Sequence, residues 1–460
     1  MPTPHLQADI AVIGGGSGGV AAALAAARCR VKTVLIEQDT LLGGTSTTAG
    51  VNCWEPVCGA TGIPRRLFDR LTHLPGACGI YTSTRHCFFM RDILANYPGG
   101  EQRIVPFLRY QDTLKADWDY SLAWWPGRWN GVVFEPLAWH HAATALLAET
   151  GCCHVITGQA VVATERANNR TLGAVTLANG ARITARIWID NAGILARDAG
   201  CETLTGQDPY DRFHEPDAPI TPSGQVNGAT RIFRITPIRG PAVQSLPKDI
   251  PTECWWSPSF PKMVGTQYPN GDFNCNMLPT ITGQDLATMT MPAALAETER
   301  RILAFWHHVQ TNWPEFQHYA IKMLFPKLGI RESFRVVCRY MLTENDLLAG
   351  LAGQTHDDLI ATADHTMDRH GGGQAMRQVT APYGIPYRCL LPVDIDNLIL
   401  AGRIAGFSSL AASSCRLTRT IMQLGQAAGF AAAIACHNHT LPADISVRHL
   451  QQLVNQENKT

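Results

Sequence analysis

The chain has 460 residues, with 38 basic and 38 acidic side chains, 45% hydrophobic residues and 40 glycines. That length suits two or three domains at roughly 100–200 residues each, and the apolar fraction excludes intrinsic disorder. A net charge of zero with no basic stripe argues against a nucleic-acid partner, because neutralising phosphates needs clustered Lys and Arg.

The opening Met1-Pro-Thr-Pro-His5 lacks the charged and apolar regions of a secretory signal. The uncharged stretch after Asp9 holds five glycines before Arg28, so it reads as strand, turn and helix and no membrane span is expected. Fourteen cysteines at irregular spacings, including the adjacent Cys152 and Cys153, fit reduced, buried thiols better than a disulfide framework. A cytoplasmic protein is the expectation, and a homo-oligomer is allowed.

Residues 9–19 join a short β-branched run to a glycine turn, an alanine-rich helix follows to Arg28, and Val31–Glu37 reads as a second buried strand. The turn has the spacing Gly14-x-Gly16-x-x-Gly19, and Glu37 ends the next strand. Gly14 makes the tight turn, Gly16 lets backbone approach a pyrophosphate, and Gly19 lets helix and strand pack closely. The helix start offers N–H groups and a positive dipole end to phosphates. Glu37 is suited to the hydroxyls of an adenosine ribose.

The segment Leu41-Leu-Gly-Gly-Thr-Ser-Thr-Thr-Ala-Gly50 is a loop of small residues, able to run close to a flat ligand. With this segment the chain resembles the FAD-dependent oxidoreductases of the glutathione-reductase-like superfamily. Phe134-Glu-Pro136 opens a predicted helix ending near Thr150, residues 154–164 read as a strand, and two turn signals between Asn168 and Gly180 imply a β-meander. Ile187-Trp-Ile-Asp-Asn-Ala-Gly193 is similar to the strand end that such families place against the dinucleotide, with Asn191 departing from their pattern. Asn397–Arg403 ends a buried strand in Gly402-Arg403, and a small-residue helix containing Gly425 and Gly429 follows.

The resemblance is closest to the broad FAD-dependent oxidoreductase family, grouped beside xanthan-lyase-like proteins. Gly329-Ile-Arg-Glu-Ser333 and Tyr383-Gly-Ile-Pro-Tyr387 are also similar to phrases of that family. It implies an α/β chain with a Rossmann-like FAD-binding domain of glutathione-reductase type and an inserted α+β substrate-capping domain. The FAD-binding domain would comprise 1–202 and 391–460, with an aromatic-rich insert at 102–130. The cap would span 203–390, with a strand at 230–236 and a helix at 292–309.

The implied FAD contacts are Gly14, Gly16, Ser17, Gly18 and Gly19 at the turn, then Glu37 and Gln38. Gly43, Gly44, Thr45, Ser46, Ala49 and Gly50 follow in the loop, with Val161, Ala192 and Gly193 on the meander side. Gly402, Arg403, Thr420 and Ile421 close the set.

Flavin carries the redox step, so the protein orients the substrate and moves a proton. Arg416 is the candidate anion-binding group. It matches the arginine of an Asn-Arg-Leu-Gly-Gly phrase in related succinate and fumarate oxidoreductases, although only Arg416-Leu417 survives here. His365 and His370 are the candidate proton acceptors. Together with Asp368 they resemble a facial triad, but their spacing fits no standard ligand helix and no metal is expected.

Arg331 and Glu332 read as an internal ion pair, and Cys53 and Cys58 as packing thiols. The run Tyr110, Trp118, Tyr120, Trp124, Trp125 and Trp129 suits either a stacked substrate or an interface. The expected reaction is hydride transfer from a small organic substrate, anionic or sugar-like, to flavin N5. A redox-neutral hydratase, lyase or isomerase is the alternative, followed by an RNA-modifying flavoprotein.

Overall fold

A computed structural model describes residues 5–85, 99–115, 129–256, 263–369 and 377–459. The strands His5–Ile13 (β1) and Thr33–Ile36 (β2) flank the helix Ser17–Arg28 (α1), whose residues from Ser17 to Ala27 are all buried. β1 also pairs in parallel with Arg182–Asp190 (β3). Their registers set Ile13 opposite both Ile36 and Asp190, with Asp190 opposite Leu400 of the strand Leu398–Leu400. Gly14, Glu37, Asn191 and Ala401 therefore leave the sheet at one edge, the carboxyl ends of its parallel strands, where open α/β sheets bind ligands.

Cys153–Ile156 extends this sheet beyond β2, and Thr171–Leu177 and Val161–Asn168 add an antiparallel flank beyond β3. The single strand expected at 154–164 is two strands, because the chain turns at Gly158 with φ +71°. The helix after Pro136 runs Pro136–Glu149.

The helix Thr418–Asn438 (α2) crosses α1 at very close range. A Cβ on Gly425 would lie 2.1 Å from the Gly18 carbonyl oxygen, and one on Gly429 would lie 2.2 Å from that of Ala22. The two helix starts thereby meet, bringing Ile421 beside Gly18.

Among the described residues a second sheet has eight strands, and it crosses the boundary expected at residue 203. Cys53–Trp54, Cys78–Arg85, Gly99–Ile104 and Asn130–Phe134 form one half; Phe233–Pro237, Met263–Gln267, Phe273–Asn276 and Tyr319–Leu324 form the other. The seam is the parallel pairing of Met263–Gln267 with Gly99–Ile104. Segments before and after residue 203 thus share one hydrogen-bonded layer. Behind it lies the helix Met291–Asn312, longer at both ends than the 292–309 expected. Its Ile302, Phe305, Trp306 and Val309 pack against Phe233, Ile235 and Cys275.

Candidate active site

The glycine turn is built by exclusion of side chains. Gly14 has φ +94°, and a Cβ on Gly19 would stand 1.8 Å from the Gly14 carbonyl oxygen, so neither position takes a side chain without moving backbone. Gly16 precedes α1 as its N-cap, with no side-chain cap and no acid in the first turn, leaving the first N–H groups of the buried helix start without an intrahelical partner.

Gly43 (φ +113°) and Gly44 (φ +52°) bring the following loop against this turn. The Gly43 N–H donates to the Gly15 carbonyl at 2.7 Å, and the Ser46 and Ser17 hydroxyls lie 3.2 Å apart. Thr45 faces a cavity described below, Ala49 is buried, and a Cβ on Gly50 would strike the Phe325 ring.

Glu37 is buried at the mouth of the turn, where its carboxylate accepts from Gly15 N–H (2.6 Å) and Asp39 N–H (2.8 Å). Burial raises its pKa, and the two amides oppose that shift. Gln38 beside it is exposed. The Gly158 and Gln159 amides donate to the Asp39 and Glu37 carbonyls, which brings the start of the Val161 strand to the same end.

The departure at Asn191 has a structural counterpart. Its amide donates to the Gly14 carbonyl at 3.3 Å, and Cβ atoms on Gly16, Gly18 and Gly402 would each come within 2.9 Å of that amide. Asn191 thus sits among three of the expected contact glycines, whereas Ala192 is exposed and Gly193 starts a short helix. The neighbouring Asp190 accepts from the Ala192, Gly193 and Ala196 amides, yet burial still pushes it up to about 6.

The cavity, about 160 Å³, lies between the carboxyl edge of the first sheet and the second sheet. Among its lining residues are Arg331, Arg403, Arg416 and Arg419, against the carboxylates Glu55 and Asp368. They come from separate segments. Glu55 follows the strand Cys53–Trp54, Asp368 lies beyond Leu359–Ala363, and Arg403 beyond Leu398–Leu400. Arg416 ends the helix Ser409–Cys415, Arg419 lies in the first turn of α2, and Arg331 follows Gly329, which bridges to Thr230.

Arg416 donates from Nη2 to Asp368 at 2.7 Å, while its buried Nε has no partner among the described residues. Arg403 Nη1 is buried in the same condition. Arg331 does not pair with Glu332, contrary to the sequence expectation. Its Nη1 donates to the Gly228 carbonyl and the Thr230 hydroxyl, each at 2.9 Å, and Glu332 turns to Arg335 and Asn227. Burial and the nearby Arg416 charge lower Arg331 to about 9 and Arg403 to about 10. Arg419 is held by Thr113 and by the Glu55 carbonyl.

His365 is buried and is not among the residues lining the cavity; Glu55 is. His365 Nε2 lies 3.1 Å from Glu55 Oε2, so the carboxylate stands between the imidazole and the cavity. Burial works to raise the Glu55 pKa, but the hydrogen bond and charge of His365 prevail and hold it below the ordinary value. The Ser414 hydroxyl clamps the His365 carbonyl, and Tyr383 is hydrogen-bonded to Ser414 in turn. Glu55 escaped sequence reasoning because a lone acid in Trp-Glu-Pro carries no motif. Arg331 was read from the sequence as the ion-pair partner of Glu332, and its actual partners are Gly228 and Thr230.

His370, Trp118, Tyr120, Trp124 and Trp125 lie outside the described residues. The flanks of that aromatic run support the site from behind. Tyr110 is buried and donates to the Ala60 carbonyl, Trp129 packs on Tyr81 and Val133, and Lys115 pairs with Asp364 at 3.0 Å. Burial pushes the Cys53 thiol up to about 12 and raises that of Cys58 as well, so neither has thiolate character near neutrality. No helix among the described residues is long and apolar enough to cross a membrane.

Comparison with known proteins shows the family. Residues 9–454 match the FAD dependent oxidoreductase family. No curated protein matches. Among solved structures, a geranylgeranyl bacteriochlorophyll reductase-like protein from Thermoplasma acidophilum is 12% identical, with a TM-score of 0.46 over 99% of this chain and 83% of that one. A p-nitrophenol 4-monooxygenase from Pseudomonas putida is 11% identical (TM-score 0.42; 99% and 85% covered). A flavoprotein/dehydrogenase from Cytophaga hutchinsonii is 13% identical (TM-score 0.43; 97% and 83% covered). The match over nearly the whole chain makes this protein an enzyme of the FAD-dependent oxidoreductase family, with FAD as its cofactor.

Proposed function

We propose that the enzyme oxidises a small organic anion, held by Arg416, with a proton leaving through Glu55. The observation that carries this reading is the cavity wall, where four arginines face two carboxylates that are already engaged. Such a wall favours an anion, and a guanidinium fork matches a carboxylate or an oxyanion.

The glycine turn suits FAD, because a pyrophosphate needs free N–H groups and no Cβ in its path. Gly14 to Gly19 with the α1 start would hold it, Glu37 and Gln38 would face the ribose, and Val161 would lie by the adenine. Gly43 to Ser46, Ala49 and Gly50 would follow the cofactor towards Gly402, Arg403, Thr420 and Ile421, with Ala192 and Gly193 alongside. FAD, when bound, supplies a two-electron acceptor that takes a hydride at N5.

The chain's own groups supply the rest. Arg416, fixed by Asp368, holds the anionic group and sets the substrate's orientation. Glu55, ionised near neutrality, accepts the proton, and His365 orients the carboxylate and can share the charge through Nε2. This assigns the substrate-facing role to Glu55 and the supporting role to His365.

The test is anaerobic mixing of FAD-loaded protein with hydroxy acids and saturated acids, each paired with its methyl ester. Loss of the flavin's visible band with an acid but not its ester supports the reading. Bleaching by the esters alone contradicts it.

A further inference from the structure

We propose that the cavity recognises a substrate bearing two acid groups, one held by Arg416 and the other by Arg331. This rests on the anionic-substrate reading above and extends it from one anchor to two.

Arg331 is fixed but unsatisfied. A single nitrogen, Nη1, makes both of its protein hydrogen bonds, to Gly228 O and Thr230 Oγ1. Those acceptors are themselves held, since the Thr230 and Gly329 backbones exchange two hydrogen bonds (3.2 and 2.7 Å). The guanidinium therefore has a set orientation, while Nε and Nη2 make no hydrogen bond among the described residues. Each acid close by is engaged elsewhere: Glu332 with Arg335 and Asn227, Asp368 with Arg416, and Glu55 with His365. Arg331 makes no ion pair among the described residues.

A half-buried cation beside a second cation, with no ion pair of its own among the described residues, is costly unless a ligand supplies the charge. Burial and then the Arg416 charge lower the Arg331 pKa, and the Asp368 and Glu55 charges oppose this only in part. Arg416 and Arg331 line one cavity from different segments, so one acid group cannot satisfy both without leaving donors unmatched on each fork. A short diacid satisfies both.

The test titrates FAD-loaded protein with malonate, succinate and glutarate, against propionate, butyrate and valerate. Binding is read from the perturbed flavin spectrum and from calorimetry. At least one diacid should bind about ten- to hundred-fold tighter than the monoacid of equal length, as one added charged hydrogen-bonded contact implies. R331Q should bring that diacid down to monoacid affinity, and R331K, which keeps the charge but loses the fork, should fall between.

Diacids no tighter than monoacids, or a preference that survives in R331Q, would overturn the proposal while leaving the single-anchor reading standing. Loss of FAD from R331Q and R331K would also overturn it, because Arg331 would then serve the cofactor. If no acid of either kind binds, the anionic reading itself fails.

Discussion

The glycine turn and the arginine cavity lie close together and are made in opposite ways. The turn is shaped by missing atoms: a Cβ on Gly19 would overlap the Gly14 carbonyl, and the α1 start is uncapped. The cavity is shaped by long charged side chains delivered by distant segments. The turn is set by local backbone and tolerates nothing added. The cavity depends on tertiary packing and should tolerate graded change, provided no charge is left unpaired.

The largest expected effect tests the first half of this contrast. Gly19→Val should abolish FAD retention and lower stability by more than about 3 kcal/mol, since backbone must move to admit the side chain. The ratio of FAD to protein and a melting curve measure it. A variant that keeps its FAD would show that the turn is not built by exclusion.

Next comes Glu55→Gln, which should slow flavin reduction by about 100-fold or more while FAD stays bound, in keeping with loss of a general base. The Glu55 pKa is held low, so wild-type reduction should persist at neutral pH and fail as pH drops through the acidic range. Rapid-mixing kinetics across pH decide the point. A wild-type profile retained in the variant would return the role to a histidine.

A third effect concerns charged groups outside the cavity. Glu215 is fully buried, accepting from Glu344 N–H and Ser408, while its Oε2 has no partner among the described residues. Burial raises it from its ordinary 4.5 to about 7. An acid with a raised folded-state pKa stabilises the fold relatively below its unfolded value, and that contribution is lost as pH rises through the folded value. Stability should therefore fall between pH 4.5 and 7, by about 3 kcal/mol. Glu215→Gln should flatten the fall and melt higher than wild type at alkaline pH. Equal slopes in the two proteins would refute it.

The smallest effect belongs to the thiols. Cys53→Ala and Cys58→Ala should each cost about 1 kcal/mol and leave the acid-released FAD unchanged, because these groups pack and do not react. Flavin that stays with wild-type protein after acid precipitation, but not with a variant, would reveal a covalent link instead.

The same contrast explains what was legible in the sequence. The β1–α1–β2 unit, the turn at Gly14–Gly19 and Glu37 could be read directly, because each is a local pattern whose spacing has a mechanical reason. Arg416 was legible through a two-residue remnant of a phrase. The eight-stranded second sheet was not, since its two halves lie about a hundred residues apart and nothing local announces the Met263–Gln267 seam. Glu55 was hidden for the same reason, and Arg331 was paired with its neighbour Glu332 because the Gly228 and Thr230 groups it meets lie about a hundred residues away. His365, expected as a proton acceptor, is buried, and the Glu55 carboxylate stands beside it on the cavity wall.

The most direct test of the account is an experimental structure of the FAD-loaded protein with a short carboxylate bound. The cofactor's phosphates should lie at Gly14–Gly19 and the α1 start, with the ligand's carboxylate on Arg416 facing Glu55. Cofactor phosphate on Arg416 or Arg331, or a carboxylate bound outside the cavity, would contradict it.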